Sequence, residues 1–462
     1  MRPVGRYGGR VVAVPVGCLA AALLLAGAAR AQDSVTVLTL DRALALTRQY
    51  NPAYQRAVAQ ADASGASVRA GFGAFLPSLS ASIGWNGNSS TIVSGQDDFG
   101  RPVELPEPLD YRSSSTSQGL SSSLTLFDGL QNLNNYRAAK SGADASYANV
   151  AQQEASVTAE VTRRFYSALQ ADRLIGVEEQ ILAVSRQQLE ATERLFRVAA
   201  RTEVDVLGAQ SSVAQQEQAL EQARGDARKA RLSLTQLVGM ADLGDVQLSG
   251  ELPEPFDPTT LDADSLVATA RRQSPAVAYA QANAAQAEYS ASAAKGRYWP
   301  TVSARASFSR SMNLSSYEAL FTFNPKNRGF GFGIDVSVPI FTRFQTSDAV
   351  ARANVQARSA QESLREAELQ LAREVRSAHI DLVTAYRRLE LAQRGLELSR
   401  RRLAMAQEQY QLGTIGFTDF QVIVTQSSED ARRLINAQLE FARATVTLEE
   451  LVGQPVRPAG PQ

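Results

Sequence analysis

The chain has 462 residues, with 47 basic and 47 acidic side chains, one histidine and one cysteine. That balance argues against a nucleic-acid partner held by excess positive charge. One histidine and one cysteine leave no zinc site and no Cys–His or Ser–His–Asp constellation with any choice of partner. No Walker-type phosphate loop is present, so neither a cofactor nor catalysis is expected.

Residues 1–31 read as a secretory signal. Arg2, Arg6 and Arg10 form a basic start, Val11 to Ala28 an apolar core, and Ala29-Arg30-Ala31 a small-x-small cleavage site before Gln32. An N-terminal membrane anchor is disfavoured because the apolar run is short and holds Pro15 and Gly17. Lipidation at Cys18 is disfavoured because Pro15-Val16-Gly17 lacks the usual leucine and the apolar core continues past the cysteine. Cleavage then leaves a cysteine-free chain with no disulfides, and a net charge of about −4 because the signal holds four arginines. No later segment supplies about 18 uninterrupted apolar residues, so no helical membrane span is expected. A secreted chain of this kind is periplasmic, exported, or a membrane β-barrel.

The chain reads as an internal duplication. Pro52 and Pro275 are 223 apart, as are Pro77 and Pro300, and Ser67, Ala70 and Gly73 match Ser290, Ala293 and Gly296. Further on the offset is 214, pairing Phe127 with Phe341, Phe196 with Tyr410, Asp205 with Asp419, and Leu237-Val238-Gly239 with Leu451-Val452-Gly453. The change of offset places an insertion in the loop between two strands of the first unit, where length is tolerated best. The expected boundaries are a signal at 1–31, a first repeat at 32–240, a proline-bearing join at 241–262, a second repeat at 263–453 and a tail at 454–462.

Each unit begins with an Ala-rich helix, from about Asp41 to Phe75 and from about Asp264 to Trp299, ending near a proline. Alternating segments follow. Leu79, Ala81, Ile83 and Trp85 alternate with serine and glycine, and Leu120, Leu124 and Leu126 mark a weaker strand. Val302 to Phe308 and Phe330 to Ile340 alternate in the same way, with Phe321 and Phe323 between them as further candidates for a membrane interface. Strands of about ten residues with one apolar and one polar face fit a membrane barrel, and they fit a soluble sheet resting on a core. Four strands close no membrane barrel, so spanning strands must be pooled, eight from two chains or twelve from three.

From about Leu130 to Val198, and again from about Gln345 to Leu412, the chain lacks proline and is rich in Ala, Gln, Glu and Arg. Each stretch predicts a helix of about 100 Å at 1.5 Å per residue. Leu382, Leu389, Leu396, Leu403 and Tyr410 form a heptad seam, matched by Ile175, Leu182, Leu189 and Phe196. A second stripe of Leu391, Leu398, Met405 and Leu412, matched by Val177, Val184, Ala191 and Val198, lies about 200° around the helix. Seams on two sides imply neighbours on two sides: a sheet or tube of helices. His379 on this helix reads as structural or solvent-facing, and the pairs Glu178-Glu179 and Glu449-Glu450 read as helix-surface carboxylates.

Three duplicated junctions carry a resemblance. They are Phe75-Leu76-Pro77 with Tyr298-Trp299-Pro300, Leu126-Phe127-Asp128-Gly129 with Val338-Pro339-Ile340-Phe341, and the turn from Tyr410 to Thr414 leading to Thr418-Asp419-Phe420, with its copy from Phe196 to Ala200 leading to Val204-Asp205-Val206. In this order behind a signal, the chain resembles the TolC-like outer-membrane efflux protein family. The resemblance implies a mainly α fold with a β-barrel part: long coiled-coil helices forming a periplasmic α-barrel, and four strands per chain contributing to a trimeric twelve-stranded outer-membrane barrel. It implies a passive exit duct of a tripartite efflux pump or type I secretion system, in the outer membrane, with a periplasmic adaptor and an inner-membrane pump or ABC exporter as partners. It also implies a pore constriction at the tip involving Asp205, Asp419 and Tyr410, with a Tyr410–Asp205 contact, and helical turns at Ala199, Thr202, Gly413 and Gly416 that dock the adaptor; the residues alone read equally well as helix-capping or first-turn carboxylates at Asp205 and Asp419 and an apolar seam residue at Tyr410. Where some members carry a turn arginine and a second acid, this chain has Ile415 and Val422, which predicts a weaker closing network and a weaker acidic ring. The competing readings are a diffusion porin, which needs more strands and no heptads, and an extended periplasmic coiled-coil scaffold, which needs no strands.

Overall fold

A computed structural model of the chain describes residues 36–96, 98–240, 246–314 and 327–457. The signal with Cys18, and Phe321 and Phe323, lie outside the described residues.

The elements repeat in order and in length. Helices α1 (Leu40–Tyr50) and α5 (Ala263–Gln273) each have 11 residues, and α2 (Pro52–Gly73) and α6 (Pro275–Gly296) each have 22. Helices α3 (Gln131–Arg197) and α7 (Gln345–Gln411) each have 67, and α4 (Glu203–Val238) and α8 (Phe417–Val452) each have 36. Strands β2 (Ser78–Gln96), β3 (Pro102–Phe127), β5 (Thr301–Leu314) and β6 (Arg328–Ser337) form one antiparallel sheet in the order β2-β3-β5-β6. Strand β1 (Thr36–Leu38) pairs in parallel with β4 (Val246–Leu248) near mid-length.

The single first helix expected in each unit is two helices. Pro52 and Pro275 begin new helices, and the residue before each is extended, as a following proline requires (Asn51 ψ 120°, Ser274 ψ 119°). The Asn51 side chain caps α2 by accepting from the Ala53 and Tyr54 amides at 2.9 and 3.0 Å. Its amide nitrogen donates to the Leu237 carbonyl at 2.7 Å, so α2 starts where α4 ends. At that end Gly239 has φ 90°, and a Cβ there would strike the Tyr50 carbonyl. Gly453 ends α8 in the same way beside Gln273. Two half-length helices thus stack end to end against each long one.

Helix α3 has packed neighbours on both sides, α4 and α8 below the middle and α2 and α6 above it. Helix α7 packs on α8 and α6. Its heptad seam is buried at Leu382, Leu389, Leu396 and Tyr410, but its second stripe is bare: Leu391, Leu398, Met405 and Leu412 are 59–79% exposed.

The first hairpin departs from the expected loop insertion. Its strands stay paired from Ser78↔Ser123 out to Gln96↔Pro102, so its extra length is strand, interrupted by a bulge at residues 105–108 where Pro106 and Pro108 supply no amide proton. Of the carboxylates read as lying on the helix surface, Glu179 is exposed but others are not. Glu178 is 5% exposed and holds Arg432 of α8 with two bonds, and Glu450 is half-buried against Arg163. His379 sits 3.4 Å from the Pro258 carbonyl, a structural position in the middle layer.

Candidate functional site

The two helical turns sit at the end of the molecule opposite the sheet. Each ends its long helix with the same motif, in which two amides reach back to carbonyls of the last turn: Ala199 to Phe196 and Ala200 to Leu195, then Gly413 to Tyr410 and Thr414 to Gln409, at 2.9–3.0 Å. The motif needs a left-handed residue. Gly413 supplies it at φ 76°, whereas Ala199 adopts φ 58° at a cost of about 1 kcal/mol.

The caps that follow differ. Thr202 starts α4 with a capping box: its hydroxyl accepts from the Asp205 amide, and the Asp205 carboxylate accepts from the Thr202 amide at 3.0 Å and hydroxyl at 2.9 Å. Gly416 starts α8 with no side-chain cap. Asp419 lies exposed in the first turn of α8.

The Asp205 carboxyl is held below the usual carboxylate range, chiefly by the Thr202 amide, which outweighs the opposing effect of burial, with the Thr202 hydroxyl and the Arg201 charge lowering it further. A depressed folded-state value contributes stability that is present above the ordinary pKa and is lost as pH falls through the folded one. Protection of the 199–206 amides from hydrogen exchange, relative to their intrinsic rates, should therefore fall below about pH 4, and Asp205→Asn should abolish that fall. An unchanged profile in Asp205→Asn would show that another group sets it.

Tyr410 and Asp205 do not meet within the chain. Tyr410 is 2% exposed, and its hydroxyl is 2.7 Å from the Thr192 hydroxyl of α3. Its ring stacks on Phe420 of α8 at 4.7 Å, and the Arg201 guanidinium lies 4.8 Å from the ring centre. Arg201 also donates to the Ile415 carbonyl at 2.5 Å. Phe417 packs over Gly208 so closely that a Cβ there would sit 2.9 Å from the ring.

Sequence reasoning missed Arg201, and a signal for it existed. Ile415 occupies the position where a turn arginine was sought, and Arg201 is its partner at the offset of 214. The arginine is on the other turn, and it reaches across to the residue that lacks one.

A family model described as "outer membrane efflux protein" matches residues 43–240 and 266–454, most of the chain and both copies of the unit. The chain belongs to the outer membrane efflux protein family. The outer membrane efflux protein BepC of Brucella suis biovar 1 is 27% identical over 263 residues, 54% of this chain and about half (52%) of BepC. Protein CyaE of Bordetella pertussis is 24% identical over 359 residues, 76% of this chain and 71% of CyaE. Among solved structures that share the fold, two illustrate it. They are the Campylobacter jejuni CmeC outer membrane channel, with a TM-score of 0.76 at 16% identity over 91% of this chain and 87% of CmeC, and the Vibrio cholerae outer membrane protein VceC, with 0.74 at 16% over 90% and 97%. The family's TolC-type fold is therefore the fold of this chain, a helical part joined to a sheet part.

Proposed function

We propose that the protein is one third of a trimeric outer-membrane exit duct, a passive conduit from periplasm to exterior that serves a tripartite efflux pump or a type I secretion system. One observation carries this: the fold is left open along its whole length. Among the described residues the sheet ends at two unpaired edges, β2 and β6, and its apolar face is bare, with Phe332 85% and Leu79 72% exposed. The helical layer ends at the bare second stripe of α7. Unpaired edges are not tolerated in lipid, and uncovered leucine stripes are not tolerated in water. Joining β6 to β2 and α7 to α4 of the next copy covers both, and three copies give twelve strands and twelve helical strands.

On this reading the apolar face of the sheet lies in the outer membrane and the helices cross the periplasm. The chain consists of a signal at 1–31, repeats at 32–240 and 263–453, a join at 241–262 and a tail at 454–462. The tips carry the constriction. Asp419, three times around the axis, favours cations there, and the turns at Ala199, Thr202, Gly413 and Gly416 are the docking surface for a periplasmic adaptor. An inner-membrane pump or exporter supplies the energy, since no catalytic constellation is expected in this chain. A periplasmic scaffold fits less well, because it would leave the apolar sheet face in water.

The test is the mass of the assembly extracted in mild detergent from separated inner and outer membranes. Three subunits in the outer-membrane fraction support the duct. A soluble monomer or dimer overturns it in favour of the scaffold.

A further inference from the structure

The two faces of the sheet differ in more than polarity. Residues paired across strands share a face, so the register fixes which side chains lie together. On the face opposite the apolar one, the strands contribute every second residue from Ser78 to Ser90, Tyr111 to Thr125, Thr301 to Asn313 and Gly329 to Ser337. All of these are serine, glycine, asparagine, threonine or tyrosine, except Arg305 and Asp335. Hydroxyls bond across the strands, Ser78 to Ser123 at 2.9 Å and Ser80 to Ser121 at 2.8 Å. Other serines lie over facing glycines, so that a Cβ at Gly119 would sit 2.8 Å from the Ser82 hydroxyl.

The two charged residues among these positions form a pair. Arg305 Nε donates to Asp335 Oδ2 at 2.7 Å, diagonally between β5 and β6 and close to the helical end of the sheet. Both side chains are well exposed, 61% and 46%. An ion pair in water adds little to stability, so folding gives little reason to place one in a stretch that is otherwise uncharged. Its other consequence is electrostatic. Alone, either residue would put a charge into the lumen in each of three copies, within or near a Debye length of the cargo path.

We propose that Arg305 and Asp335 set the charge selectivity of the barrel, each cancelling the other, so that the hydroxyl-lined lumen passes cargo of either charge. This rests on the pooled barrel described above. Sorting by charge, where it occurs, then takes place at the acidic tips or in the partners.

A single thiol in the lumen tests it. Ser307 lies on the same face, two residues from Arg305, and Cys18 is the only native cysteine. In a Cys18→Ser background, Ser307→Cys in the outer-membrane assembly is labelled from outside with a sulfonate-bearing and a trimethylammonium-bearing methanethiosulfonate. The ratio of the two rates, anion over cation, is normalised to a free thiol. The parent ratio should lie within about twofold of one; Asp335→Asn should raise it about threefold or more, Arg305→Gln should lower it as much, and the double variant should restore it. A parent ratio already biased by that much, or one unmoved by Asp335→Asn, would overturn the proposal while leaving the duct intact. Phe332→Cys on the opposite face separates the two failures. It should react far more slowly than Ser307→Cys, and equal reactivity of the two would overturn the membrane barrel itself.

Discussion

Arg432→Ala should destabilise the protein by about 3–5 kcal/mol, and Glu178→Ala by markedly less, about 1–2 kcal/mol. The asymmetry follows from burial. Arg432 Nε and Nη2 hold the two Glu178 oxygens at 2.7 and 2.8 Å, yet the Glu178 side chain is 7% exposed and that of Arg432 35%. Removing the arginine strands a carboxylate between α3 and α8. Removing the glutamate leaves a guanidinium whose long stem turns to water and to nearby Glu429. The pair also joins the two repeats, together with Arg163–Glu450 and Gln170–Asn436 higher on the same two helices, at 2.8 and 2.7 Å. Denaturant unfolding of the detergent-extracted protein, followed by helical circular dichroism, measures both costs. The double variant should cost less than the two single variants together. Equal single costs, or an Arg432→Ala cost under about 1 kcal/mol, would mean that Glu178 finds water in the native state.

Where the sequence was legible, a period carried the information. The heptad seam from Leu382 to Tyr410 is the buried seam of α7, and the alternation from Val302 and from Phe330 falls on β5 and β6. The extent of β3 was not legible, because its outer part carries Pro102, Pro106 and Pro108 and its middle, Ser113 to Ser123, is mostly serine, so neither shows an apolar alternation. The break at Asn51-Pro52 was missed because proline was used only as a helix end, although an Asn before a Pro caps and restarts a helix equally well. Glu178 was misread as a surface acid although it stands three and four residues before Ile181 and Leu182, on their buried face. The Tyr410–Asp205 pairing came from resemblance alone. Local chemistry decided otherwise, since a capping box satisfies Asp205 within its own turn and leaves Tyr410 to Thr192.

At the tips, Tyr410→Ala should have the largest effect on conduction, Arg201→Ala a smaller one and Tyr410→Phe the least. Tyr410 is the knot between the two turns: α3 holds its hydroxyl, Phe420 of α8 its face, and Arg201 of the first turn its ring. Deleting a buried aromatic ring costs about 3–5 kcal/mol of the packed arrangement, whereas deleting only the hydroxyl costs about 0.5–1.5 kcal/mol. If that arrangement is the narrow one, a loss of 3 kcal/mol multiplies the ratio of open to narrow tips by about a hundredfold or more. The packing is also poorly satisfied where it must give way. Among the described residues of one chain, the Gln188 amide, one turn before Thr192, is buried without a partner, as are Arg201 Nε and Gln421 Oε1. Such groups stay unpaired at a cost, so the tip is held by a few contacts that work against their own polar neighbours. Single-channel recordings of the purified assembly in planar bilayers measure the outcome as open probability. The expected order is Tyr410→Ala above Arg201→Ala, above Tyr410→Phe, above the parent. Recordings in which Arg201→Ala matches the parent while Tyr410→Ala opens the channel would remove the cross-turn arginine from the lock and leave aromatic packing alone to hold it.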